Sequence, residues 1–232
     1  MRSWAAPAAA NNAKWCDLVC RTHGISAGHD AVAWASRRRT PALYPDAVTL
    51  VPNPAPANLL DRIDSSPGCS IKDSFASVDL KPYGFRVSFD AEWIVRVPAK
   101  SGPVTADLGW TVVREVDSFV AWEDAWRGEH GPSDVLRSDL IREPSVTVLG
   151  KEIDNRVAAG AILYRSGAVV GISNFFAEDR GSSVPWLGCL ELATSLFPTE
   201  TFVGYESGHA LRGATKNGFD TAGPLRVWIR EG

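Results

Sequence analysis

Hydrophobic residues follow two rhythms along this chain. In GFRVSFDAEWIVRV (84–97), Phe85, Val87 and Phe89 alternate with Arg86 and Ser88, the two-residue period of a half-buried strand. In NNAKWCDLVCRTHG (11–24), Trp15, Leu18 and Val19 recur at helical spacing and Gly24 supplies a stop. Between these segments lie a turn-rich stretch to Pro45, a short predicted strand in DAVTLV (46–51) and a brief helix in NLLDRIDSSPG (58–68). CSIKDSFASVDL (69–80) and the 84–97 segment read as a strand pair about the turn Lys81-Pro82-Tyr83-Gly84. PAKSGPVTADLG (98–109) has almost nothing to bury and predicts a linker at 99–109, with one half at 1–98 and another at 110–232.

After the linker the pattern is denser. Strands are expected at 110–116, 146–157, 158–167, 168–177, 201–206 and 224–231. Helices are expected at 117–128, capped by Asp117 or Ser118, and at 133–143, 185–197 and 207–218. Pro185 falls in a first helical turn, where its missing N–H does no harm. From residue 110 the order is β-α-α-β-β-β-α-β-α-β, an α/β (α+β) pattern.

Composition narrows the function classes. The 232 residues carry a net charge of −3 and are 45% hydrophobic, which gives neither a nucleic-acid nor a membrane-surface footprint. Arg37-Arg38-Arg39 runs straight into Thr40-Pro41 and reads as a solvated loop. The first dozen residues resemble an export signal only faintly, since Pro7 breaks a short apolar stretch. A soluble, cytoplasmic protein is expected. Cys16, Cys20 and His23 tempt a metal reading, but no second pair follows at zinc-like spacing, so core packing is expected and no metal.

Two pieces carry a family resemblance. One is VVGISNFFAEDRGSSVPWLGCLELATSLFP (169–198), a buried strand, a polar loop and a helix; the other is LRGATKNGFDTAGPLRVWI (211–229). Together with the element order, residues 110–230 resemble the GNAT superfamily of acyl-CoA-dependent N-acyltransferases. That resemblance implies a mixed sheet with flanking helices, and the first hundred residues would be a degenerate GNAT-like half or an extension. It implies that Phe175, Phe176, Arg180, Gly181, Ser182, Ser183 and Val184 stand at an acyl-CoA site, acetyl-CoA being the simplest case. In the family pattern, glycines let loop amides approach a pyrophosphate at a helix N-terminus. Here Ser183 and Pro185 hold the two small positions, so the frame of the loop survives without its glycines.

The chemistry needs a base for an ammonium and an acid for a departing thiolate. The family's tyrosine position falls near Ala214-Thr215, so the usual acid is missing. Glu206 is a candidate base and Tyr205 or His209 a candidate acid, with Ser173, Asn174 and His209 available to orient a small-molecule acceptor. A second constellation, Asp73 and Glu92 on strands read as neighbours, offers paired carboxylates. Three functions remain open: acyl transfer to the amine of a small molecule, a GNAT-fold lyase or hydrolase that no longer uses CoA, and a non-catalytic binding module.

Overall fold

The computed structural model describes residues 3–98, 108–178 and 184–231. The chain divides into two compact units, Met1–Trp93 with Ala222–Gly232, and Ile94–Thr221. The expected linker at 99–109 lies mostly outside the described residues. The last strand begins in the second unit and ends in the first.

In the first unit, α1 spans Ala5–Thr22 and β1 to β4 span Gly28–His29, Ala33–Ala35, Ala47–Thr49 and Ser70–Asp73. The short helix α2 covers Pro56–Leu60 and the long strand β5 covers Phe85–Arg96. The turn-rich reading of residues 25–45 missed β1 and β2, which are too short to show a period. Residues 226–229 of the last strand, Asp220–Arg230, pair antiparallel with β4, from Arg226 opposite Asp73 to Ile229 opposite Ser70. That last strand separates β4 from β5. The expected β4–β5 hairpin is therefore wrong: a local pattern cannot see a strand arriving from the far end of the chain.

Strand alternation places the helices of this unit. Ala47 and Ile71 join Leu59 of α2, Phe85 and Trp228 in one core. Lys72, one residue along, turns to the other face and donates to Asn12 of α1 at 2.8 Å. Cys16 and Cys20 are fully buried in α1, and burial pushes their thiols up to about 11 and about 12. Both therefore pack as small apolar side chains.

In the second unit, β6 (Trp110–Val113) leads into α3 (Val116–Arg127), a 3-10 turn at Ser138–Arg142, then β7 (Val146–Ile153), β8 (Arg156–Ser166) and β9 (Val169–Ala177). After it come α4 (Val184–Leu196), β10 (Thr201–Glu206), α5 (Gly208–Lys216) and the last strand, β11 (Asp220–Arg230). The N-cap of α3 is Glu115, without a side-chain bond, so neither Asp117 nor Ser118 caps it. Asp154 and Asn155, both at positive φ (51° and 59°), join β7 to β8 in a two-residue turn, ending the first strand earlier than its sequence pattern suggests. The strand order is β10-β9-β8-β7-β6, antiparallel except for β9 beside β10.

Asp73 organises the exit from β4. It is fully buried, and its Oδ2 accepts from the amides of Ser77 and Val78 at 2.6 and 2.7 Å. Its Oδ1 accepts from the amide of Phe75 at 3.2 Å and the Thr49 hydroxyl at 3.5 Å. Removing the carboxylate strands these buried donors, so Asp73→Ala is expected to lower stability by about 3 kcal/mol. Urea unfolding measures this, and a loss under about 0.5 kcal/mol would show that the amides find other partners.

Candidate functional site

The site begins where β9 and β10 stop pairing. Their parallel ladder joins Thr201 to Val169, Phe202 to Val170 and Val203 to Gly171, and ends there, although β9 runs on to Ala177 and β10 to Glu206. On its other edge β9 shifts register against β8, with Ile162 opposite Ser173 but Gly160 opposite Phe176. Asn174, at φ 55°, forms this bulge. An extra residue bends its strand, and the bulge falls just past the point where the β9–β10 ladder ends. The paired part of the two strands is confined to their first halves.

The ends of the two strands carry most of the predicted polar residues. Ser173 and Asn174 on β9 and Tyr205 and Glu206 on β10 are all half-buried. Burial pushes the Glu206 carboxyl up to about 7. His209, on the exposed first turn of α5, has its Nδ1 2.6 Å from the Arg212 guanidinium. Arg212 can only donate, so His209 accepts at Nδ1 and offers Nε2–H outward.

Phe175 and Phe176 hold helices. Phe175 stacks on Trp186 of α4 with centroids 4.0 Å apart, and Trp110 lies parallel at 6.5 Å. Phe176 points to the other face and meets Trp122 of α3 edge-on at 5.2 Å. A Cβ on Gly160 would come within 2.1 Å of Trp122 Nε1 and 2.6 Å of Phe176, so only glycine admits this contact. Val184 opens α4 with its side chain half exposed. Arg180, Gly181, Ser182 and Ser183 lie outside the described residues.

Asp73 and Glu92 are not brought together as an acid–base pair. Their strands, β4 and β5, are separated by β11, and Asp73 is committed to the bonds described above.

One feature of the site was not anticipated from sequence. An open cavity of about 630 Å³ lies against the end of α3, the start of β8 and the end of β9. Trp126 and Phe176 give it apolar wall, and Asp124, Glu129 and Glu178 give it carboxylates. Arg127 pairs with Asp124 and, at 3.5 Å, with Glu123, whose own carboxyl is raised by burial. Its residues come from three separate segments, 124–129, 156–157 and 176–178, so no local motif marks it. The nearest signal was the tryptophan pair Trp122 and Trp126 on one helix.

No family model and no curated protein matches the sequence. Solved structures do. A GCN5-related N-acetyltransferase from Kribbella flavida superposes with a TM-score of 0.64 at 12% identity, covering 100% of this chain and 97% of that one. The fold is that of the GNAT proteins. A GNAT-family protein from Novosphingobium aromaticivorans gives a TM-score of 0.58 at 18% identity, with 94% and 96% covered. A functionally unknown conserved protein from Staphylococcus epidermidis gives 0.60 at 10% identity, with 88% and 93% covered. The GNAT likeness thus takes in nearly the whole chain, whereas the sequence motifs pointed to the C-terminal half. Among the described residues, no helix is long and apolar enough to cross a membrane, and no group of three or more His, Cys, Asp or Glu could hold a metal ion.

The position of Glu206 has a thermodynamic consequence. Its folded-state pKa of about 7 lies above the ordinary 4.5, so between these values the folded chain keeps a proton that the unfolded chain releases. Its contribution to stability is therefore full below pH 4.5 and is lost as pH rises through 7. In urea unfolding from pH 4 to 8, wild type is expected to lose stability relative to Glu206→Gln over that window. A pH-independent difference would assign Glu206 an ordinary carboxylate pKa.

Proposed function

We propose that the protein transfers an acyl group from an acyl-CoA, acetyl-CoA being the simplest donor, to the amine of a small molecule. The observation that carries this reading is a carboxyl with a pKa near 7 on a strand whose parallel ladder has just ended. The residues fit an extended acyl-thioester arm. The ladder ends at Gly171 and Val203, and Gly204 still lies close against the Ile172 backbone, so the room for an arm lies beyond it, between the ends of β9 and β10. A Cβ at Gly204 would lie 3.0 Å from the Ile172 carbonyl oxygen. Acyl-CoA would supply the activated thioester carbonyl.

The chain's own groups manage the protons. An ammonium is no nucleophile, so its proton must leave first. Ionised Glu206 accepts it, and a base poised near neutrality can both take and return a proton. Tyr205, its neighbour on β10, or the outward Nε2–H of His209 supplies a proton to the departing sulfur. Ser173 and Asn174, at the bulge, orient the acceptor. Among the residues assigned to the donor, Phe175 and Phe176 act by fixing the end of β9, and Arg180 to Val184 remain the proposed phosphate contacts.

A second reading, the same fold acting as a lyase or hydrolase without CoA, draws on Pro185. It is the second residue of α4 and has no N–H to offer an anion. Calorimetry with acetyl-CoA separates the two, because absence of binding at millimolar concentration would retire acyl transfer. If acetyl-CoA binds, thiol release in the presence of primary amines should rise with pH through about 7. Glu206→Gln keeps the shape and removes the acceptor, so kcat should fall about a hundredfold with little change in KM. Turnover at the wild-type rate would make Glu206 a structural residue.

A further inference from the structure

We infer that the cavity between the end of α3 and the β8–β9 strand ends is a binding site for a cationic amine with a flat apolar body. Its role as the acceptor site rests on the acyl-transfer reading above, whereas its ligand class rests on the cavity alone.

The argument is one of size, walls and charge. At about 630 Å³ the cavity has the volume of a small-molecule site. Trp126 and Phe176 offer ring surface, and an aromatic face attracts both apolar groups and cations. Three carboxylates line the cavity, from Asp124, Glu129 and Glu178, against two guanidiniums, from Arg127 and Arg156. The guanidiniums are already answered. Arg127 is held by Asp124 and by Glu123, which lies outside the lining, and Arg156 lies 3.4 Å from Glu178. Among the described residues Glu129 has no ion-pair partner, so its charge faces a ligand. The balance is thus negative, and a cation gains where an anion is repelled.

Position supports the same conclusion. Phe176, Ala177 and Glu178 line the cavity and follow directly on the bulge in β9. A ligand seated against Phe176 is thus two and three residues along β9 from Asn174 and Ser173, the residues proposed to orient an acceptor. The T-shaped contact with Trp122 and the absence of a side chain at Gly160 fix the Phe176 ring, so this wall is formed in advance.

The test uses three probes of one shape and different charge: 2-phenylethylamine, 2-phenylethanol and phenylacetate. Calorimetry on the full chain at pH 7 is expected to show the amine binding about tenfold tighter than the alcohol, with no binding of the acid. The preference should shrink at high salt. Glu129→Lys should weaken the amine about tenfold and leave the alcohol within about twofold, while Glu129→Gln should have a smaller effect in the same direction. Trp126→Ala should weaken amine and alcohol alike. Equal binding of the three probes, no binding of the amine, or indifference to Glu129→Lys would each overturn the inference. Glu129 is exposed, and an unchanged melting curve checks that the variants fold. Acetyl-CoA titrated separately keeps the two ideas apart. Loss of CoA binding with amine binding intact retires the transferase reading but not the cavity's ligand class.

Discussion

The acyl-transfer reading of this protein depends on a parallel ladder that stops after three residue pairs. Parallel strands normally continue pairing while both have backbone to offer, because an unpaired buried amide or carbonyl is costly. β9 and β10 do not continue. The register shift at Asn174 adds one residue to β9 against β8, just past the last pair that β9 makes with β10. Past that point β9 runs on to Ala177 and β10 to Glu206 without a ladder between them.

Much of the second unit was legible because its signals are local. A buried apolar run, a polar loop and a helix at 169–198 can be read from residues that are neighbours in sequence. The strand TFVGYE was placed to the residue, since its boundaries are set by Pro198-Thr199-Glu200 before it and Ser207-Gly208 after it. What escaped reading was non-local. The entry of β11 between β4 and β5 puts residues 226–229 beside residues 70–73, and nothing in either segment announces the other. Asp73 and Glu92 were misread as neighbours for this reason. Glu206 was legible as a candidate base, but the burial that raises its pKa depends on the tertiary setting. The cavity beside α3 was invisible because its lining comes from three separate segments.

The first unit shows buried polar side chains used for architecture. Asp46 is almost wholly buried and accepts from Arg39, from the amide and hydroxyl of Thr40 and from the amide of Ser70. With Asp73 it ties loops to the central strands, and Lys72 ties α1 to the same strands through Asn12. Each carboxylate has several partners, so its charge is already satisfied, and this marks it as structural. Glu206 contrasts with both: its pKa is raised by burial, and its carboxyl has no hydrogen-bond partner among the described residues.

The contact of Gly160 with Trp122 and Phe176 also bears on how this sequence can change over time. Any side chain at position 160 collides with two rings at once, and shrinking either ring alone leaves a void beside the other. Single-step routes away from this arrangement therefore pass through poorly packed intermediates. Gly160, Trp122 and Phe176 should drift together or not at all, an epistatic knot tied at the wall of the cavity.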